Sequence, residues 1–169
     1  MRVLPLALWH TGSDEELVRD AYAQSRVTHG HARSKVSCAL YCLWARATLE
    51  DESDAWRSAV SRLKPLLAAG GDEADALDHH IKPNEPAHGK GSGYVIDTIR
   101  SARMVLGATS YEDVVRHAIA LGDDTDTTAC VAGGIAGLRN GVRGIPERWL
   151  AALRGRDLVD PLLAKLTSG

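Results

Sequence analysis

Apolar positions in this 169-residue chain recur mostly at intervals of three and four, the spacing of amphipathic helices. In Ser13-Asp14-Glu15-Glu16 a glutamate follows a serine by three, a capping-box start. Leu17, Val18, Ala21 and Tyr22 then share a face, predicting a first helix that runs to about Ser25. The polar run Thr28-His29-Gly30-His31 reads as a loop. A second helix follows from Ala32 to Leu49, with Val36, Ala39, Leu40, Leu43 and Ala47 in one stripe. Acidic residues at 51–54 suit the positive end of a third helix, which Pro65 kinks or restarts. Residues 70–91 hold Gly70, Gly71, Pro83, Pro86, Gly89 and three histidines, and read as a long loop. A fourth helix begins near Ser92, with Val95, Ile96, Ile99, Ala102 and Leu106 on its face. Ser110 caps a fifth, a sixth spans Thr125 to Asn140, Pro146 opens a seventh, and a last short helix covers residues 158–166. No segment alternates as a strand does. The expected fold is all-α, a compact bundle of about seven or eight helices, in one domain over residues 1–169 without internal repeats.

Composition narrows the classes of function. Hydrophobic residues make up 44% and charged residues 25%, enough for a core. A net charge of -2 gives no basic footprint, so neither nucleic acid nor a polybasic membrane contact is expected. The apolar start, residues 1–9, is too short for a signal peptide, and no run nears the ~18 apolar residues of a membrane span. A cytoplasmic location is the expectation. Three cysteines, an odd count, argue against a disulfide framework. Cys38 and Cys42 share a helix face, either as buried thiols or as a two-ligand clip, with thiols favoured. Trp9, Trp44, Trp56 and Trp149 read as packing residues.

The densest chemistry lies in Gly122-Asp123-Asp124-Thr125-Asp126-Thr127-Thr128, with three carboxylates and three hydroxyls in seven residues where the sixth helix starts. Such oxygens suit Mg²⁺, Mn²⁺ or Ca²⁺. They equally suit a helix N-cap. An EF-hand is excluded, because counting from Asp124 the sixth position is Ala129 and the twelfth Ile135. Gly133, Gly134 and Gly137 follow inside the helix, each costing about 1 kcal/mol against alanine. That composition implies a bare face for close helix packing. Gly91-Ser92-Gly93-Tyr94 precedes another helix, where backbone N–H groups approach a phosphate and Tyr94 either stacks on a ligand ring or packs in the core. His29 and His31 are contacts or solvated groups. His79, His80 and His88 read as solvated rather than as a metal cluster.

Together these segments resemble the ADP-ribosylglycohydrolase family, which includes the dinitrogenase reductase-activating glycohydrolases and the eukaryotic ADP-ribosylhydrolases. Its C-terminal signature, Gly-x-Asp-x-Asp-Thr followed by an Ala/Gly-rich helix, Ile-Pro and Trp, is matched by Gly122 to Thr127, Ala129 to Gly137, Ile145-Pro146 and Trp149. Met1-Arg2-Val3-Leu4-Pro5, Ser25-Arg26-Val27-Thr28-His29 and Gly91-Ser92-Gly93-Tyr94-Val95 are similar to further family segments, in the same order.

The resemblance implies hydrolysis of the glycosidic bond between ADP-ribose and a modified side chain. It implies Mg²⁺, one or two ions with Mn²⁺ as substitute, on Asp124, Asp126 and Thr127, while Asp123 takes a variable place. It implies substrate contacts at Thr28, His29, Gly91, Ser92, Gly93 and Tyr94, with ADP-ribose or an ADP-ribosylated protein as partner. The family's remaining ligands and its catalytic carboxylate lie in an N-terminal Thr-Asp-Asp segment, and this sequence has no such triplet. The catalytic residue is therefore unassigned. Two Mg²⁺ ions need about twelve coordination positions, more than three side chains supply. The expectation is a hydrolase incomplete without an N-terminal half, with self-association or a complementing chain. The alternative is a non-catalytic ADP-ribose-binding or regulatory module.

Overall fold

The computed structural model describes residues 2–167. Met1, the first residue of the Met-Arg segment, lies outside them. Among the described residues there are ten α-helices and no strand. The capping box forms as expected at α2 (Asp14–Arg26): the Glu16 amide donates to the Ser13 hydroxyl at 3.2 Å, and the Ser13 amide donates to the Glu16 carboxylate at 2.8 Å. The central element is α3 (Ala32–Leu49), whose residues from Val36 to Ala47 are nearly all buried. Such a helix is apolar around most of its circumference because neighbours cover it on several sides. Those neighbours are α1 (Leu4–Trp9), α2, α4 (Ala55–Leu63), α6 (Val95–Val105) and α8 (Thr125–Asn140).

The glycines of α8 let two helices come close. Tyr111, at the start of α7 (Tyr111–Ala120), lies against Gly133 and Gly137, while Tyr41 and Leu4 crowd Gly134 on another face. The Tyr41 hydroxyl donates to the Val131 carbonyl at 2.9 Å and ties α3 to α8. One contiguous core draws on α1 to α4, residues 76–81, and α6 to α8.

Several expectations are corrected. The segment 70–91 is not a structureless loop: α5 (Asp72–Asp75) continues into a π-helical turn, Ala76–Ile81, that buries Ala76, Leu77 and Ile81. Three apolar residues among many polar ones are too few for a readable period, yet they suffice once the wider turn aims them inward. The chain beyond is anchored at Pro83, whose carbonyl accepts from Trp56 Nε1 at 3.0 Å and from Arg103 at 2.9 Å. Helix α1 was not foreseen, and Trp9 at its end is 70% exposed rather than a packing residue. Trp44 and Trp56 are buried edge to face, with centroids 4.9 Å apart. Helix α4 ends before Pro65, which is the middle residue of a 3₁₀ turn, Lys64–Leu66. Helix α6 starts three residues after Ser92, and Pro146 precedes α9 (Glu147–Ala152) rather than being its first residue. Beyond α9 lies α10 (Arg156–Thr167). No helix among the described residues is long and apolar enough to cross a membrane.

Candidate functional site

A cleft of about 310 Å³ opens between the end of α2, α3, α6 and the start of α8. That is the lower end of the usual range for ligand pockets. It brings together Thr28, His29, Gly93 and Thr127, four residues singled out in the sequence from three separate segments. Its other wall is a face of α3, where Ser34, Ser37, Cys38 and Tyr41 recur at the i, i+3, i+4, i+7 spacing of one helical side. This wall went unread because the apolar stripe of the same helix is the louder signal. Small polar residues at helical spacing were the clue available. The Ser37 hydroxyl is buried and has no hydrogen-bond partner. The Arg2 and Gln24 side chains were missed too, and both line the cleft.

The acidic mouth is built by two consecutive left-handed residues, Gly122 at φ 77° and Asp123 at φ 54°. Their turn delivers Asp124 to the N-cap of α8, where its Oδ1 accepts from the Thr127 amide at 3.4 Å. The Asp124 amide donates to the Gly91 carbonyl at 3.0 Å, and the Thr128 hydroxyl donates to the same carbonyl at 3.3 Å. The starts of α6 and α8 are therefore locked together. Gly93 sits against the Asp124 carboxylate with no room for a side chain. The Thr127 hydroxyl, and then the Asp126 carboxyl beside it, hold the Asp124 carboxyl below its ordinary range. Asp126 is exposed, Asp124 half-buried and Thr127 buried. The cap and the cluster of oxygens are thus the same residues, and two neighbouring carboxylates with a hydroxyl are a donor set that suits a hard dication. Among the described residues no group of three or more His, Cys, Asp or Glu side chains is placed to hold a metal ion.

The segment before α6 divides in two. Asp97 reaches back from the first turn and accepts from the Lys90 amide at 3.0 Å and the Ser92 amide at 2.7 Å, while the Gly91 amide donates to Ser101 Oγ at 3.1 Å. Burial alone would raise the Asp97 pKa, but the bonds from Lys90, Ser92 and Ser101 outweigh it and hold the carboxyl below its usual range. These three amides serve the helix start, so Gly91 and Ser92 offer no free N–H for a phosphate. Gly93 borders the cleft, and Tyr94, about half exposed, accepts from Arg33 at 3.0 Å through its hydroxyl. Arg33 also meets His80 Nε2 at 2.8 Å, His79 faces Asp75, and His88 lies by Arg100. His80 Nε2 also lies 3.4 Å from Asp75, so His79 and His80 share that carboxylate while His88 lies apart. Cys42 is buried, Cys38 half-buried and Cys130 exposed.

Fold and site define an all-helical protein with a hydroxyl-lined cleft beside a helix that starts on paired carboxylates. The chain belongs to the ADP-ribosylglycohydrolase family, whose model matches residues 1–169. It is similar to an ADP-ribosyl-[dinitrogen reductase] glycohydrolase of Rhodospirillum rubrum, 30% identical over 97% of this chain and 54% of the relative. It is also similar to an ADP-ribosylarginine hydrolase of Pseudomonas putida, 27% identical over 98% of this chain and 44% of the relative. An ADP-ribosylhydrolase of Danio rerio is 44% identical over 55 residues, 32% of this chain and 15% of the relative. The chain spans about half the length of the longer-matching relatives.

Proposed function

We propose that this chain carries part of an ADP-ribosylglycohydrolase-type active site, which cleaves the glycosidic bond between ADP-ribose and a modified side chain. The observation that supports this reading most is the convergence of Thr28, His29, Gly93 and Thr127 on one cleft beside Asp124 and Asp126. Asp124, Asp126 and the Thr127 hydroxyl are the residues to hold Mg²⁺, or Mn²⁺ in its place. A dication there supplies orientation of ribose oxygens and electrostatic stabilisation of developing charge. Thr28 and His29 approach the ligand from the end of α2, and Gly93 from just before α6, while Tyr94 beside it is outside the cleft lining. The proposal assigns the general base to no residue of this chain and expects turnover when the part of the family's length that the chain does not span is supplied.

A second reading, ADP-ribose binding without turnover, is favoured by the small donor set: two carboxylates and a hydroxyl fit one loosely held ion better than two. The test is calorimetry of ADP-ribose binding with and without Mg²⁺, on the wild type and on Asp126→Ala. Asp126 is exposed and outside the core, so its removal probes the site and leaves the fold alone. Mg²⁺-dependent binding that weakens at least tenfold in the variant supports the site, at about 1.4 kcal/mol per factor of ten. Unchanged binding in the variant refutes the metal assignment. Multiple-turnover release of ADP-ribose from a modified protein by the purified chain would exclude the second reading.

A further inference from the structure

We infer that Arg2, Ser25 and Thr28 are positioning residues that preset neutral His29 as a hydrogen-bond donor through Nε2 rather than as a general base. The backbone of His29 is held from both sides by one buried serine. Its amide donates to the Ser25 carbonyl at 2.7 Å, and the Ser25 hydroxyl donates to the His29 carbonyl at 2.9 Å. Ser25 is only 3% exposed, so the serine side of this clamp is buried, while His29 itself is exposed.

The ring is held by a second device. Arg2 donates through Nε to Gln24 Oε1 at 3.1 Å, and through Nη2 to the Gln24 carbonyl and to Thr28 Oγ1, each at 3.1 Å. Thr28 Oγ1 lies 2.9 Å from His29 Nδ1. A guanidinium only donates, so Thr28 Oγ1 must accept from Arg2. The hydroxyl keeps a single proton, and His29 Nδ1 is the acceptor within reach. The opposite tautomer would spend both lone pairs of the hydroxyl on N–H groups from Arg2 and His29 and turn its proton to water, whereas this one keeps the proton within the protein. The guanidinium charge also polarises the hydroxyl and makes it a stronger donor to Nδ1. The Thr28 hydroxyl thus accepts from Arg2 and donates to His29 Nδ1, with the neutral imidazole carrying its hydrogen on Nε2.

His29 lines the cleft. With Nδ1 engaged by Thr28, the neutral ring has no free lone pair to take a proton from water, and the group it offers a ligand is Nε2–H. It recognises an acceptor oxygen, of a phosphate or of a sugar; only the naming of that acceptor rests on the ADP-ribose reading. The relay itself is a property of the unliganded chain.

The test is long-range ¹H–¹⁵N correlation spectroscopy of the ¹⁵N-labelled full chain, above the pH range where histidine titrates and with no ligand. His29→Asn assigns the signal by its loss. The expected result is a pyrrole-type Nε2 and a pyridine-type Nδ1 for His29. Thr28→Val should raise the share of the Nδ1–H tautomer, Thr28→Ser should restore the wild-type pattern, and Arg2→Gln should move in the direction of Thr28→Val. A wild-type His29 protonated at Nδ1, or a tautomer ratio unmoved by Thr28→Val, overturns the inference. If the tautomer result holds while ADP-ribose fails to bind, the proposed function falls and the relay stands.

Discussion

Gly93→Ala tests whether the cleft and the acidic mouth are one mechanical unit. A Cβ at Gly93 would overlap Asp124 Oδ2 and come within 3.2 Å of Asp124 Cγ and 3.5 Å of Asp124 Cβ. Asp124 has a short side chain, so it yields only by rotating off the Thr127 amide or by pushing α6 and α8 apart. The first route forfeits the N-cap, about 0.5–2 kcal/mol. The second strains the bond from the Asp124 amide to the Gly91 carbonyl and overpacks the joint, about 1–3 kcal/mol. The expected loss is about 1–3 kcal/mol, and for a chain of this size each kcal/mol lowers Tm by about 2–4 °C. The assay is a double-mutant cycle by urea denaturation. Asp124→Ala alone should cost about 1 kcal/mol as a lost cap. In that background the carboxylate is gone, and adding Gly93→Ala should be near neutral, giving a coupling of at least about 1 kcal/mol. If the two costs add to within about 0.5 kcal/mol, the described contact does not govern this joint and the reasoning fails.

Three further outcomes are expected. Leu77→Ala should cost about 2–5 kcal/mol in denaturant unfolding, because Leu77 is 1% exposed in the π-helical turn; a cost under about 0.5 kcal/mol would return the segment to a surface loop. Asp97→Asn should destabilise by about 1–3 kcal/mol at neutral pH, through weakened bonds to the Lys90 and Ser92 amides. Since folding lowers the Asp97 pKa, its stabilisation is present above the unfolded value of about 3.9 and lost as pH falls through the folded one; the variant's stability should therefore fall less steeply with acid than the wild type's, and equal slopes would refute the assignment. With a thiol reagent followed by mass spectrometry, exposed Cys130 should react first and Cys42 last, since burial pushes the Cys42 thiol up to about 12; early labelling of Cys42 would contradict its place in the core.

Much of the fold was legible because its signals are local. The Ser13 and Glu16 box, the Ser110 cap and the stripe from Val36 to Ala47 each declare a helix within a few residues, and α3 and α8 begin and end where the pattern places them. The glycines of α8 foretold a close neighbour but not its identity, Tyr111 on one side and Tyr41 on another. Leu77 and Ile81 stayed hidden because burial by a π-helical turn leaves no 3.6-residue period to find. The site divides the same way. Gly122 to Thr128 announced an oxygen-rich helix start, which hydrogen-bond chemistry dictates from adjacent residues alone. That the Gly91 and Ser92 amides are consumed by Asp97 and Ser101, that Ser34, Ser37, Cys38 and Tyr41 form a wall, and that Arg2 reaches Thr28 are decisions of tertiary structure. Arg2 and Thr28 are 26 residues apart, and the bonds of Asp97 and Ser101 and the aim of the α3 wall depend on how the chain turns into α6 and on what packs against α3. Local capping and periodicity fixed which residues are helical, and packing around α3 fixed which of their polar atoms are left free to meet a ligand.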